Sequence, residues 1–385
     1  MKVCFFAHYS ITNQDGATLS MYNIIEEMVN RGIEVSVILS NTRNISEELL
    51  DSKVKFIKIP LYGMRMDIKV KNILTEPKFF LKSLRNKFSK NQIIQQLKAD
   101  KPDVIHINGL DSGIGAEIAQ ELNIPYVWHI RQFMEADLGK KLFHEKYVYK
   151  LVSQADSVIA ISKDVKKKFE PIFNRTLEVV YNGVPIEKYV IENVKKFNDK
   201  KIKMLLAGRI SPQKGQIEAI KAVEILRKRN IRNVSLTLVG QSETQEYLNS
   251  LKNYINTHNL NSCINIIEHT DDLRELRSKH DIGLTCSKKE AFGRVTVENM
   301  LANMFVIGAD TGGTSEIIDD KHNGMLYTMG SSASLAKCVE YAINNREDVL
   351  DMIIRGHNDA IKKYSIQRVV DDVLKIYYRI IKKKK

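Results

Sequence analysis

Two stretches of this chain carry residues whose types and spacing could do chemistry. The first is LLAGRISPQKG, where an apolar run ends at Gly208, a turn with Pro212 follows, and a helix begins near Gly215. In open α/β sheets ligands bind at the carboxyl ends of strands, which puts Arg209 and Lys214 where a phosphate would sit. Arg offers a planar fork of donors and Lys a compact charge, and both stabilise a leaving group that gains negative charge. A solvated basic loop is the alternative for this stretch taken alone.

The second stretch is DIGLTCSKKEAFGRVTVENMLA. DIGLTCS reads as a strand and VTVENMLA as a helix whose start falls at Phe292, Gly293 and Arg294. Free backbone N–H groups there suit a diphosphate. Glu290 precedes the helix and Glu298 lies inside it, roughly 7 to 8 Å along the axis from Gly293 at about 1.5 Å per residue. Ionised carboxylates only accept hydrogen bonds, and vicinal hydroxyls of a ribose or hexose are natural donors to them. Glutamate in the first turns of a helix is also commonplace, because it suits the macrodipole. Spacing alone leaves both readings open.

The elements that must position these residues alternate between strand and helix almost throughout, the pattern of an α/β fold with parallel sheets. KVCFFA, EVSVILS, VKFIKI, DVIHIN, YVWHI, SVIAIS and EVVYNG read as strands of a first series. IKMLLAG, SLTLVG, INIIE, DIGLTCS and VIGAD form a second. The polar stretch PIEKYVIENVKKFNDKK between them reads as a linker. The expected division is 1–182, a linker at 183–200, a second domain at 201–364, and a C-terminal helix and basic tail at 365–385. That last helix is amphipathic, with Ser365 as its cap and Val369, Val370, Val373, Ile376, Tyr377 and Ile380 on one side.

Composition bounds the function. At 385 residues two domains are expected, and an apolar fraction of 43% is ordinary for a globular protein. Cys4, Cys263, Cys286 and Cys338 have no paired spacing, which argues against a disulfide framework or a zinc site and fits a reducing cytoplasm. The apolar start, MKVCFFAHYS, lacks a cleavage site and reads as a first strand rather than a signal peptide. No run reaches the roughly 20 apolar residues needed to span a bilayer.

A net charge of +13 favours an anionic partner. Nucleic acid is disfavoured, since no zinc finger, recognition helix or aromatic stacking motif is present. Part of the charge lies in Tyr62 to Lys98, with nine Lys/Arg against Asp67 and Glu76. Interleaved with them are Met64, Met66, Ile68, Ile73, Leu74, Phe79, Phe80, Leu81, Leu84 and Phe88. This segment reads either as a peripheral contact with an anionic membrane or as a solvated helix half buried in the core.

GRISPQKG, EAFGRVTVENM and GGTSEII, in that order, resemble glycosyltransferase family 4, the large GT-B group of retaining, nucleotide-sugar-dependent enzymes. HYSITNQDGATLSMYNIIEEMVNRGIEVSVI, KPDVIHING and VVYNGV resemble its N-terminal half, so the likeness covers nearly the whole chain. The resemblance implies two Rossmann-like domains facing across a cleft, with the C-terminal helix returning to the N-terminal domain. It implies donor binding by the C-terminal domain and acceptor binding by the N-terminal one.

Residue by residue, it assigns Arg209 and Lys214 to the donor diphosphate, Glu298 to the ribose hydroxyls, and Glu290 to the transferred sugar. Backbone amides of Phe292, Gly293 and Arg294 would cradle the distal phosphate and sugar. Gly16 would close over the phosphates, where only a residue without Cβ allows close approach. His129 would face the donor sugar, a strand-end core histidine being the alternative, with Arg131 as a weaker acceptor-side candidate. Gly312 and Gly313 would line the sugar pocket, or form a plain tight turn.

This sequence departs from the family pattern at Asp15, where a second glycine is common, and at Glu268, beside the base-binding region. The absence of any Asp-x-Asp pair leads us to expect transfer without a metal or other cofactor. The donor expected is a nucleoside-diphosphate hexose, UDP-sugar favoured. The acceptor expected is lipid-linked or a glycan, in capsule or similar bacterial polysaccharide synthesis, in the cytoplasm at the inner face of the cell membrane. Rival readings are a nucleotide-sugar epimerase or hydrolase of the same fold, a non-enzymatic nucleic-acid- or membrane-binding protein, and a non-catalytic sensor.

Overall fold

The computed structural model describes residues 1–7, 16–40, 53–68, 75–111, 113–135, 139–192, 196–198, 200–270 and 272–384. Asp15 and the loop before it lie outside the described residues, as do Lys69, Lys71, Ile73 and Leu74 of the basic segment and the last lysine. The chain forms two compact units, Met1–Val184 with Ile366–Lys385, and Pro185–Ser365.

The first unit runs β1 (Lys2–Ala7), α1 (Gly16–Asn30), β2 (Glu34–Ser40), β3 (Lys55–Ile59), β4 (Arg65–Asp67), α2 (Thr75–Asp100) and β5 (Val104–Asn108). It continues with α3 (Ile114–Glu121), β6 (Tyr126–Ile130), β7 (Lys140–Leu142), α4 (Glu145–Ser153), β8 (Ser157–Ala160), α5 (Lys163–Phe173) and β9 (Glu178–Val179). Seven strands pair in the order β3-β2-β1-β5-β6-β8-β9, all parallel. The central strands are apolar on both faces, as a parallel sheet covered by helices requires. All five residues of β6 are buried.

The second unit holds β10 (Ile202–Ala207), α6 (Gln216–Lys228), β11 (Val234–Val239), α7 (Gln245–Thr257), β12 (Ile264–Ile267), α8 (Leu273–Ser278) and β13 (Ile282–Thr285). Then come α9 (Arg294–Leu301), β14 (Phe305–Ala309), α10 (Thr314–Ile317), β15 (Met325–Tyr327), α11 (Ser332–Asn344) and α12 (Arg346–Tyr364). Its sheet is parallel, in the order β12-β11-β10-β13-β14-β15. The order reverses between β10 and β13, where Met204 pairs with Ile282 and Leu205 with Gly283. Loops leaving two such strands part in opposite directions and open a crevice, the usual ligand site of this fold class.

The last helix, α13 (Ile366–Lys384), belongs to the first unit. Its apolar side, Val369, Val370, Val373, Ile376, Tyr377 and Ile380, joins one buried cluster with Val3, Phe5, Met21, Ile24 and Ile25. Complete burial of such side chains is worth about 1.5–3 kcal/mol each. The chain returns at Gly183, where a Cβ would fall 2.8 Å from Ile366 Cδ1.

Among the described residues of 185–200, several side chains pack on the second unit. Phe197 is buried in the core of the second unit beside Ile202 and Met204. Lys196 Nζ donates to the carbonyls of Arg277 (2.7 Å), Ser278 (3.1 Å) and His280 (2.7 Å). Three short strands had no counterpart in the sequence reading: the antiparallel pair β4 and β7, and β15. Three residues are too few for alternation to show. EVVYNG shrinks to the two-residue β9.

Candidate functional site

The two loops that leave β10 and β13 are locked together by backbone. Gly215, the N-cap of α6, has φ 70°, and a Cβ there would lie 2.0 Å from the Cys286 carbonyl oxygen. Only glycine permits both the conformation and the approach. Gln216 folds back onto the loop, its Nε2 donating to the Arg209 carbonyl at 2.9 Å.

On this frame Lys214 Nζ donates to Glu290 Oε1 at 2.5 Å, and Ser287 Oγ donates to the same oxygen at 2.6 Å. Burial pushes the Glu290 carboxyl upward, but Lys214, Ser287 and the charge of Arg209 outweigh it and hold it below the ordinary carboxylate range. Arg209 itself is 56% exposed in its side chain, with Nη1 4.0 Å from Glu243 Oε1. It is the less committed cation of the two.

Gly293 caps α9 with φ 99°, Phe292 is buried edge-on to Tyr364, and Arg294 opens the helix. One turn on, the Glu298 carboxylate is gripped from two sides. Arg294 Nε donates to Oε1 at 2.6 Å, and Arg277 Nη2 donates to Oε2. Burial raises the Glu298 carboxyl, yet the two guanidiniums hold it below its usual range. Arg294 Nη2 also donates to the Tyr189 hydroxyl at 2.7 Å, and Arg277 Nε to Asn299 Oδ1 at 3.1 Å. The Tyr189 ring lies 5.7 Å from each guanidinium centre.

Gly312 and Gly313 press against the same segment. The Gly313 N–H donates to the Glu290 carbonyl at 2.8 Å. A Cβ on Gly312 would sit 2.4 Å from the Glu290 carbonyl oxygen, and one on Gly313 2.2 Å from that of Phe292. This pair is the backing of the Glu290–Phe292 loop, a tight-turn role in direct touch with the site.

Arg209, Lys214, Glu290, Phe292, Gly293, Arg294, Glu298, Gly312 and Gly313 thus all fall on the second unit, around the β10/β13 switch. Gly16 and His129 fall on the first. Gly16 is the exposed first residue of α1, and among the described residues a Cβ added to it would meet nothing within 4 Å.

His129, at the end of β6, is fully buried. Its Nδ1 lies 3.2 Å from His106 Nε2, and His106 Nδ1 lies 2.6 Å from the Tyr377 hydroxyl. Burial, then the charge of Arg131 and the neighbouring His106, keep His129 well below its ordinary pKa, so it is neutral at pH 7. Arg131 is buried between Asn108 and Asn182, with Nε donating to Asn108 Oδ1 at 2.8 Å and Nη1 to Asn182 Oδ1 at 2.5 Å. Burial pulls its guanidinium down to about 9.

Sequence reasoning missed Ser287, Tyr189 and Arg277. Ser287 stands three residues before Glu290 and was within reach of local reading. Tyr189 and Arg277 come from the start of the second unit and from α8, with no local pattern to mark them. Among the described residues no group of three or more His, Cys, Asp or Glu is placed to hold a metal ion. None of their helices is long and apolar enough to cross a membrane.

Two family descriptions together match residues 14–359 of the chain: "Glycosyltransferase Family 4" over residues 14–188 and "Glycosyl transferases group 1" over residues 188–359. An uncharacterized glycosyltransferase of Methanocaldococcus jannaschii is 26% identical over 270 residues, covering 69% of this chain and 71% of that one. The capsular polysaccharide biosynthesis glycosyltransferase CapM of Staphylococcus aureus is 25% identical over 211 residues, covering 52% and 54%. Anabaena HepE, in its crystal structure with UDP, superposes with a TM-score of 0.79 at 20% identity, covering 98% of this chain and 100% of that one. The same protein with UDP-glucose gives 0.74 at 21% identity, covering 97% and 99%.

Proposed function

We propose that this chain, a glycosyltransferase of the GT-B type, moves a hexose-type sugar from a nucleoside-diphosphate sugar, UDP-sugar favoured, to a lipid-linked or glycan acceptor. The carrying observation is the convergence of Arg209, Lys214, Glu290, the start of α9 and Glu298 on the one switch point of the second sheet. The donor diphosphate lies against the backbone N–H groups of Phe292, Gly293 and Arg294. Arg209 and Lys214 take up the charge that develops as the bond between the anomeric carbon and phosphate breaks. Glu290, ionised and held by Lys214 and Ser287, accepts hydrogen bonds from hydroxyls of the transferred sugar. Glu298 accepts from the ribose.

Both carboxylates are committed to binding, so neither is assigned as a covalent nucleophile. Transfer then proceeds with retention on one face of the sugar. The new bond to the acceptor oxygen forms as the old one breaks, and the acceptor proton passes to the departing phosphate oxygen. No metal is required in this scheme, since the helix start and the two cations supply the positive field.

Acceptor binding is assigned to the first unit, with Gly16 and His129 as its candidate residues. α2 offers a docking side for a lipid-linked acceptor at the inner face of the cell membrane. Phe80, Leu81, Leu84 and Phe88 are exposed there alongside the exposed Lys78, Arg85 and Lys87. The setting that suits these features is capsule or related surface-polysaccharide synthesis in the cytoplasm, in keeping with the likeness to CapM.

A thermal-shift panel of UDP-, GDP- and ADP-sugars tests this reading. A true donor at a hundred times its Kd stabilises by about 2.7 kcal/mol. Stabilisation by none of the three, or release of free sugar with no acceptor requirement, overturns it.

A further inference from the structure

The cluster around Glu298 carries more positive charge than it neutralises. Arg277, Arg294 and Glu298 have side chains only 2%, 12% and 9% exposed. Among the described residues Glu298 is the sole carboxylate paired with either arginine. Two guanidiniums against one carboxylate leave a surplus of one positive charge where water is scarce. Buried surplus charge is costly unless a further group meets it.

The surplus has an address. Arg294 spends Nε on Glu298 and Nη2 on Tyr189, while its buried Nη1 has no hydrogen-bond partner among the described residues. Arg277 spends Nε on Asn299 and Nη2 on the other Glu298 oxygen. Each Glu298 oxygen accepts one of these bonds and has a second lone pair, and the unused donor beside the carboxylate is Arg294 Nη1. An anion placed there would be repelled by Glu298. A hydroxyl suits both neighbours, donating its proton to the carboxylate and accepting from Arg294 Nη1.

We infer that the Arg294 side chain is a ligand-binding group, reading one hydroxyl of the donor ribose together with Glu298, and that Arg277 is the positioning residue that fixes the carboxylate plane for it. This rests on the proposed function, which puts the nucleotide ribose at Glu298. It adds a residue role: Arg294 and Glu298 read both sides of one hydroxyl, so the preference for that hydroxyl depends on the Arg294 side chain. A site built to hydrogen-bond a hydroxyl rejects the analogue lacking it, because its own buried groups are left unpaired.

The test compares whichever of UDP, GDP and ADP binds tightest with its 2′-deoxy and 3′-deoxy counterparts by titration calorimetry. Wild type should bind the ribonucleotide at least about tenfold tighter than one of the deoxy forms. Arg294→Lys keeps a cation against Glu298 but lacks the second fork of donors. It should bring that ratio below about threefold, chiefly by weakening the ribonucleotide. Arg277→Lys, a second variant, should weaken the ribonucleotide and leave the deoxy forms within about twofold. An unchanged ratio in Arg294→Lys overturns the inference while leaving the function standing; no discrimination by wild type overturns the inference and the placement of the ribose at Glu298. Binding of no nucleoside diphosphate by wild type overturns the function, and the inference with it.

Discussion

Lys214 and Glu290, 76 residues apart in sequence, meet at 2.5 Å across the mouths of β10 and β13. Lys214 helps hold the Glu290 carboxyl below its ordinary range, so removing the lysine disturbs its partner. Alanine at Lys214, Glu290 or Arg209 should each lower turnover at least about tenfold. Lys214→Ala carries the extra penalty of leaving Glu290 buried without its cation. Steady-state kinetics decide it, and near-normal rates in all three variants would remove the donor site from this switch point.

The glycines divide into two kinds. Gly313→Ala drives a Cβ to 2.2 Å from the Phe292 carbonyl oxygen, and Gly312→Ala adds a left-handed φ of 54° to a 2.4 Å clash. Both should destabilise the second unit by about 1–3 kcal/mol. They should also blunt the thermal shift given by donor. Gly16→Ala has room among the described residues and should leave the melting temperature unchanged. If Gly16 has its proposed role against the donor phosphates, the added methyl should slow transfer about tenfold. Normal turnover in Gly16→Ala would retire Gly16 from the site.

Acid should weaken the fold through Glu298. Its folded pKa lies below the ordinary 4.5, so its stabilisation is complete above that value and is lost as pH falls through the lower folded pKa. Urea unfolding between pH 7 and 3 should show this loss in wild type. Glu298→Gln should start less stable at pH 7 and fall less steeply below pH 4.5. Parallel curves for the two proteins would contradict the assignment.

Transfer should proceed undiminished in EDTA, with Arg209, Lys214 and the start of α9 in place of a cation. A strict requirement for Mg²⁺ or Mn²⁺, measured as lost turnover restored by the metal, would overturn this.

The exposed side of α2 should bind anionic liposomes in flotation and neutral ones weakly. Phe88, 77% exposed, and Phe80, 59% exposed, are the residues placed to insert. Replacing both by Ser should release the protein, with each neighbouring lysine or arginine worth about 1 kcal/mol of attraction. No flotation with either lipid excludes the membrane contact.

Much of the fold was legible because it rests on local periodicity. Runs such as KVCFFA and YVWHI are apolar on both faces, which only a covered parallel strand explains, and the apolar side of the last helix showed in its spacing. Glu290 and Glu298 were legible too, since a strand, a turn and a helix start fix their separation within one short stretch. Ser287 lay in that same stretch and was passed over, because a serine before a helix has several ordinary uses.

What sequence could not carry were pairings between distant segments. The chain by itself determined which residues are strands, which loops leave them, and that two glutamates flank a helix start. The tertiary structure decided that Lys214 closes on Glu290, and that Gly312 and Gly313 serve by letting two backbones touch. It also decided that Arg277 and Tyr189, from α8 and from the start of the second unit, converge on Glu298 and Arg294. Periodicity records which face of an element is buried, but the partner across a sheet's switch point is set by strand order and packing, which leave no trace in local spacing.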